Sequence, residues 1–201
     1  MNKVDTFKKL ESSKIFSFKD VVFLDPQTSI GTLKNSLSHW VKSGSLLLLK
    51  KGLYILPEKK NIVSKEYVAH RLLSPSYVSL SYALFIFGII PDVVYQVTSI
   101  TTKTTRIFTN LLGAFTYNNV DTSLFFGFTL HEGYYLAEPE KAFLDYLYFL
   151  HVGSGKRVTK KQLELCRFQN LETLSKVKLE KYAKKFDSAK INLCLHNLKL
   201  L

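Results

Sequence analysis

The chain has 201 residues, of which 46% are hydrophobic, and its formal net charge is +12 at pH 7. This hydrophobic content excludes a disordered tail and is enough for one or two domains. The N-terminus carries no apolar signal segment, and the longest apolar stretch, at 77–90, is shorter than the roughly 20 residues that span a bilayer. We therefore expect a cytoplasmic protein without a membrane partner.

The positive charge is concentrated at the two ends of the chain. Residues 1–60 contain 11 basic and 5 acidic residues, residues 61–150 contain 5 and 7, and residues 151–201 contain 12 and 4. An even distribution would favour a solubilising role, whereas two basic ends predict two separate surfaces for a polyanion. Binding through such surfaces is strongly salt-dependent.

Residues 18–43 have the pattern of two helices separated by a turn. The first, at 18–24, ends before Asp25 and Pro26, because proline disfavours helical geometry in the residue before it. A hydroxyl of Thr28 or Ser29 can cap the second helix, and the Ser-Gly pair at 43–44 can end it. Apolar residues at a spacing of three and four give this helix one core-facing stripe, made of Ile30, Leu33, Leu37, Trp40 and Val41.

A short β-hairpin follows the second helix. Its predicted strands are residues 46–50 and 53–56, joined in a tight turn by Lys50, Lys51 and Gly52. Helices followed by such a hairpin predict a winged helix-turn-helix domain in residues 1–60. In that domain the second helix would enter the major groove, and both lysines would lie at the tip of the wing.

The polar side of the second helix and the tip of the wing supply candidate contacts with double-stranded DNA. Asparagine, lysine and hydroxyl side chains can read base edges, and wing lysines suit phosphates. The alternative is a polar face that is only solvated, as on most amphipathic helices. The predicted DNA-binding residues are Thr28, Ser29, Thr32, Lys34, Asn35, Ser38, His39, Lys42, Lys50 and Lys51.

Residues 61–201 are predicted to form a second domain, after a short polar boundary at 57–61. Segments 64–73 and 79–87 have helical spacing, and β-branched or aromatic runs between 93 and 136 are typical of strands. Pro139 begins a strong helix, and amphipathic helices follow Gly155. The predicted class is α+β: an N-terminal winged helix-turn-helix, then an α/β domain with a small antiparallel sheet and C-terminal helices.

Three carboxylates lie close together in the sequence near the start of the Pro139 helix. Glu138 and Glu140 fit a first helical turn, where the helix dipole favours acidic residues. Asp145 follows Lys141 by four residues, as a surface partner or a local brace. An active-site cluster is the less favoured interpretation.

Other patterns do not predict catalysis, metal binding or nucleotide binding. Residues 153–157 lack the first glycine and the final hydroxyl of a phosphate-binding loop, and His131 with Glu132 lacks the second histidine of a zinc protease motif. Cys166 and Cys194 indicate neither a zinc cluster nor a disulfide framework. We therefore expect no enzyme activity, no metal and no cofactor.

The C-terminal segment predicts a second basic surface, for DNA or for an acidic or nucleic-acid partner. Lysines interspersed with apolar residues can equally form a solvated helix face, so both interpretations remain open. The residues of this predicted surface are Lys156, Arg157, Lys160, Lys161, Lys181, Lys184 and Lys185.

Several short motifs resemble the AbiEi-type antitoxin family of bacterial type IV toxin-antitoxin systems. They lie within about residues 15 to 150, and they are 51–54 (KGLY), 77–84 (YVSLSYAL), 88–91 (GIIP), 97–98 (VT) and 137–145 (AEPEKAFLD). The resemblance implies a winged helix-turn-helix that represses its own two-gene operon by binding repeats in the promoter. It also implies a nucleotidyltransferase-like toxin, countered without a stable complex, in phage defence by abortive infection. Residues 151–201 have no matching motif.

Three functional hypotheses follow from the sequence. The first is a DNA-binding repressor that is also an antitoxin, acting as a monomer in solution or as a dimer on DNA. The second is a protein that neutralises a toxin by direct contact, which predicts a copurifying partner and an exposed apolar patch. The third, an enzyme acting on nucleic acid, is disfavoured because no acid, base or metal constellation converges.

Overall fold

The N-terminal part of the chain folds into three helices and a small antiparallel sheet. In the computed structural model, which describes residues 3–154 and 159–201, the helices are α1 (Lys3–Leu10), α2 (Phe18–Leu24) and α3 (Ile30–Lys42). The strands are β1 (Phe16–Ser17), β2 (Leu47–Lys50) and β3 (Leu53–Ile55), in the spatial order β1-β3-β2. Helices α2 and α3 and the β2–β3 hairpin match elements predicted from the sequence.

Capping side chains set where these helices begin, and an apolar core holds them together. Ser17 caps α2 through reciprocal hydrogen bonds with Asp20, and Ser29 caps α3. The rings of Phe7 and Trp40 pack edge to face, with their centroids 5.0 Å apart. Trp40 belongs to an apolar cluster that we call the smaller core, and Phe7 packs against this cluster. Its buried residues are Leu10, Phe16, Val21, Leu33, Leu37, Trp40, Leu46 and Leu56.

The rest of the chain places helices around a larger sheet. The helices are α4 (Lys65–Leu72), α5 (Leu80–Ile86), α6 (Pro139–Ser154), α7 (Lys160–Leu165), α8 (Lys176–Phe186) and α9 (Ala189–Asn197). The strands are β4 (Ser76–Val78), β5 (Val97–Thr101), β6 (Arg106–Asn110), β7 (Gly113–Asn119), β8 (Phe128–His131) and β9 (Tyr134–Ala137). Within the described ranges, no helix has both the length and the apolar character needed to cross a bilayer.

The larger sheet has six strands, in the order β6-β7-β5-β4-β9-β8. Its pairs are antiparallel except β4 with β9 and β5 with β7, which are parallel. The α+β class is confirmed, but the predicted small antiparallel sheet is wrong for this part of the chain. The short strand β4, to which the sequence analysis assigned no strand, lies in the middle of the sheet. Parallel neighbours come from crossover connections, which local sequence patterns do not specify.

The β2–β3 hairpin packs against a different core on each face, although Leu48 of β2 is 41% exposed. Side chains alternate along a strand, and Leu53 and Ile55 of β3 belong, with Leu49 of β2, to a second apolar cluster. We call this cluster the larger core; among its buried residues are Val68, Leu72, Tyr77, Ile100, Phe115, Phe143 and Leu179. On the opposite side, Tyr54 packs against the smaller core, and Leu56 belongs to it. The polar segment that was predicted as a domain boundary therefore connects two parts that share this hairpin.

A buried ion pair lies in the part of the chain that contains the six-stranded sheet, which we call the larger part. The side chains of Lys141 and Asp145, one helical turn apart on α6, have no exposed surface, and the Lys141 ammonium donates to Asp145 Oδ1. The second carboxylate oxygen accepts hydrogen bonds from the Tyr77 hydroxyl at 3.0 Å and the Ser79 hydroxyl at 2.8 Å. Burial raises the pKa of Asp145, and these donors and the ammonium act in the opposite direction.

The aromatic surroundings of Lys141 complete the environment of the pair. Its ammonium lies 4.8 Å from the ring centroid of Phe126 and 4.7 Å from that of Phe186, at the end of α8. The pair therefore joins α6 to β4 and α8. Asp145 is a local brace, as one of the two expectations had it, and its predicted place at the surface is wrong. Helical spacing alone does not tell a buried pair from an exposed one.

We expect Lys141→Met to destabilise the fold by about 3–5 kcal/mol, because it leaves a carboxylate buried without its counter-charge. The double variant Lys141→Met/Asp145→Asn removes both charges and should lose less stability. The free energy of unfolding in urea measures both effects.

The matched control is Lys184→Met, which breaks an exposed ion pair with Glu180 at the same helical spacing. This change should have little effect, because exposed pairs contribute little to stability. Equal losses for Lys141→Met and Lys184→Met would contradict a structural role for the buried pair.

Candidate nucleic-acid interface

One face of α3 is apolar and buried, and the opposite face is polar and exposed. The buried side consists of Leu33, Leu37 and Trp40, which pack into the smaller core, with Val41 partly buried against it. Ile30 was predicted for the same stripe, but it is 56% exposed at the first position of the helix, so that prediction is wrong. The predicted polar face is at the surface, where the exposed residues are Thr32, Lys34, Asn35, Ser38, His39 and Lys42. This face offers two lysines, one amide and two hydroxyls over three helical turns, and no acidic residue.

Hydroxyl side chains organise the N-terminus of α3. Ser29 Oγ accepts a hydrogen bond from the Thr32 amide at 3.2 Å and lies 2.9 Å from the Thr32 hydroxyl. Thr28, which is partly buried, donates to the Asp25 carboxylate at 2.9 Å. These three predicted DNA contacts therefore have structural partners within the turn.

The hairpin turn lies beside α2 and α3. Lys51 is exposed at the turn, and Gly52 has a φ of +78°, a conformation that favours glycine. The Gly52 carbonyl accepts a hydrogen bond from the Phe18 amide at 2.9 Å. The Lys34 ammonium of α3 lies 5.8 Å from the ring centroid of the same phenylalanine. Phe18 thus connects the turn with the polar face of α3.

A groove of about 380 Å³ lies between α3 and the hairpin. Its cationic residues are Lys34 and Lys42 from the helix and Lys51 from the turn. Its remaining lining is Ser38, Val41, Leu48, Gly52 and Tyr54, so no carboxylate faces the groove among the described residues that line it. We call this feature the α3–hairpin groove. The described lining therefore combines three cationic side chains with the apolar side chains of Val41 and Leu48.

Lys50 does not lie at the tip of the hairpin, where the sequence analysis placed it. Its ammonium donates to the Leu72 carbonyl at the end of α4 and lies 5.7 Å from the ring centroid of Phe108. The register of β2 with β3 is irregular between Leu48 and Lys50, as at a β-bulge. Such an irregularity changes the direction of the Lys50 side chain. The prediction that Lys50 joins Lys51 at the tip is therefore wrong.

Two further cations stand near Lys50 that the sequence analysis did not select. Burial lowers the pKa of Lys50, and the positive charges of Lys103 and Arg106 lower it further. Lys103 also donates to the Ser74 carbonyl at 2.6 Å. No local pattern indicated these two residues, because their approach to Lys50 depends on the packing of β6 beside β2.

The predicted second basic surface is only partly a set of free cations. Lys161 on α7 and Lys181 on α8 are exposed, whereas Lys184 pairs with Glu180 at 3.2 Å and Lys185 lies 4.2 Å from the Phe126 ring centroid. The other predicted members are not placed. Lys156 and Arg157 lie outside the described residues, as does the side chain of Lys160.

The carboxylates near the start of α6 have structural partners. Glu138 accepts hydrogen bonds from Lys178 at 3.0 Å and from Tyr182 at 2.8 Å. Burial raises the pKa of Glu138, but these bonds outweigh burial and lower it overall. Glu140 accepts from the Ser175 amide at 2.8 Å. Over the described chain, no group of three histidine, cysteine or acidic residues could hold a metal ion, and neither Cys166 nor Cys194 forms a disulfide.

Comparison with known proteins adds no relative to these observations. No family model matches the chain, and a search of curated proteins finds no significant match.

We expect Ser29→Ala to destabilise the protein by about 1 kcal/mol, because the cap of α3 is lost. The matched control is Ser38→Ala, which removes a hydroxyl from the middle of the same helix and puts a better helix former there. Urea unfolding should separate the two variants. Equal stability would contradict the capping role of Ser29.

Proposed function

We propose that this protein is a DNA-binding transcriptional repressor whose N-terminal part is a winged helix-turn-helix. In this assignment α3 is the recognition helix and the β2–β3 hairpin is the wing. The observation that carries the proposal is the α3–hairpin groove, where three lysines from two elements face one space without a carboxylate among the described lining residues. Duplex DNA is the polyanion that such a helix and hairpin fit together.

The groove and the face beside it divide into two kinds of contact. Asn35 and Lys34 would read base edges, because an amide suits adenine and an ammonium suits guanine. Lys42 and Lys51, on the two sides of the groove, would contact phosphates and fix the orientation of the protein. Ser29 would act indirectly, since it sets the start of α3.

We further propose that the repressor is the cytoplasmic antitoxin of a type IV toxin-antitoxin pair and controls its own operon. The resemblance of residues 77–84 and 137–145 to AbiEi-type antitoxins supports this part of the proposal. The partner would be a nucleotidyltransferase-like toxin that forms no stable complex with the antitoxin. The chain itself would carry out no catalysis.

A second candidate function is neutralisation of a toxin by direct contact. Val93 and Tyr95, in the segment before β5, favour it because their side chains are 59% and 78% exposed. Coexpression with the product of the neighbouring gene separates the candidates. Copurification of a stoichiometric complex would support direct contact, and its absence together with rescue of growth would support the leading proposal.

The decisive experiment measures binding of the purified protein to its own upstream DNA and to a scrambled duplex across a salt series. The proposal expects tight, sequence-selective binding to the upstream duplex. Equal, purely salt-driven binding to both duplexes would overturn the repressor assignment.

Asn35→Ala should weaken binding to the upstream duplex by about 1–3 kcal/mol, the value of one good base contact. Binding to the scrambled duplex should hardly change. Titration of both duplexes at one salt concentration measures this difference. An unchanged affinity for the upstream duplex would show that the base-reading face is elsewhere.

Lys51→Ala should weaken binding to both duplexes by the same factor, because a phosphate contact carries no sequence information. The slope of log affinity against log salt should fall in magnitude by about one unit. Lys59→Ala is the matched control, since this lysine lies in the turn after the hairpin and outside the groove. A Lys51 effect confined to one duplex would contradict the phosphate role.

A further inference from the structure

Two hydrogen bonds tie strand β2 to the larger part of the molecule. The Asn110 amide, at the end of β6, donates to the Leu49 carbonyl at 3.1 Å. The next residue, Lys50, donates from its ammonium to the carbonyl of Leu72. Asn110 is itself fixed, because its side-chain oxygen accepts from the Leu112 amide at 2.8 Å in the following turn.

Apolar contacts reinforce this junction. Leu49, Leu53 and Ile55 belong to the larger core and are at most 4% exposed. Phe108 of β6, two residues before Asn110, packs against the same core and lies beneath the Lys50 ammonium. The hairpin therefore cannot tilt away from the six-stranded sheet without exposing these side chains.

The other side of the hairpin forms part of the α3–hairpin groove. Leu48 lines the groove, whereas its neighbour Leu49 is buried in the larger core. Lys51 also lines the groove, one residue after Lys50. Any movement of β2 relative to α3 would thus carry Leu48 and Lys51 with it and change the width of the groove.

We infer that the six-stranded sheet positions the hairpin for DNA, and that Asn110 and Lys50 are positioning residues for a surface they do not form. This inference rests on the proposed DNA-binding function and adds its control by the second part of the chain. Lys50 acts through the Leu72 carbonyl and not through a phosphate. Asn110 acts by holding the backbone of β2.

The test uses full-length variants and two measurements. Asn110→Ala removes the hydrogen bond to Leu49, and Asn110→Asp removes the same donor but keeps an acceptor for the Leu112 amide. Both should weaken binding to the upstream duplex by about 2- to 10-fold, the effect of one lost hydrogen bond. Neither should reduce the salt slope by the full unit of a phosphate contact. Amide hydrogen exchange should become faster in the hairpin, with that of α6 unchanged.

Asn119→Ala is the matched control. Asn119 ends β7 and donates to the Lys103 carbonyl at 2.9 Å, so it makes the same kind of bond within the larger part. Asn119→Ala should leave the amide hydrogen exchange of the hairpin unchanged. It should change the affinity for DNA by no more than about 2-fold. An effect as large as that of Asn110→Ala would overturn the inference.

Lys50→Met keeps most of the apolar stem and removes the ammonium. A weaker affinity with an unchanged salt slope is expected, whereas a slope reduced by about one unit would make Lys50 a phosphate contact and overturn its positioning role. Unchanged hairpin exchange in Asn110→Ala would overturn the inference whether or not the native protein binds DNA. The native protein could fail to select the upstream duplex while Asn110→Ala still shows faster hairpin exchange. That result would overturn the proposed function but not the attachment of the hairpin to the six-stranded sheet.

Discussion

The constraint on which the structure depends is that one short hairpin packs against two different cores, one on each face. Leu49, Leu53 and Ile55 require the larger core, and Tyr54 and Leu56 require the smaller one. Strands alternate their side chains, so a slip of one residue would exchange the two sets and expose or misplace every one of them. The register of β2 and β3 therefore fixes how the two parts of the chain meet, and with it the shape of the groove beside α3.

The larger part depends in turn on the buried ion pair between Lys141 and Asp145. Hydroxyls of Tyr77 and Ser79 donate to the Asp145 carboxylate, and the ammonium of Lys141 neutralises it, which offsets the cost of burying the pair. These partners come from α6, from β4 and from the residue that follows β4, which are far apart in sequence. The motifs at 77–84 and 137–145 thus meet in one buried network. The side chains of Tyr77, Ser79, Lys141 and Asp145 in these two stretches are therefore explained by this network.

Local sequence was sufficient for most of the helices and for the hairpin, but not for β4 or for the assembly of the elements. The start of α3 at Ser29, one of the two predicted caps, its buried stripe except Ile30, and the β2–β3 hairpin followed from spacing and capping chemistry. The direction of Lys50 depended on a bulge, the six-stranded sheet on parallel pairs between distant strands, and the burial of Asp145 on residues more than sixty positions away. None of these three features can be predicted from a sequence window of ten or fifteen residues. The approach of Lys103 and Arg106 to Lys50 also depends on tertiary packing, so local sequence did not predict it.

The shared hairpin also has a consequence for synthesis. A growing polypeptide leaves the ribosome from its N-terminus, so α3 and the hairpin emerge before the strands that cover Leu49, Leu53 and Ile55 exist. Until β6 and β7 follow, the nascent chain carries three uncovered core residues, and domains generally fold as units once their contacts are available. A prematurely terminated product would display this apolar face to chaperones and proteases. Quality control therefore has a structural basis for removing N-terminal fragments that would otherwise keep an exposed basic helix.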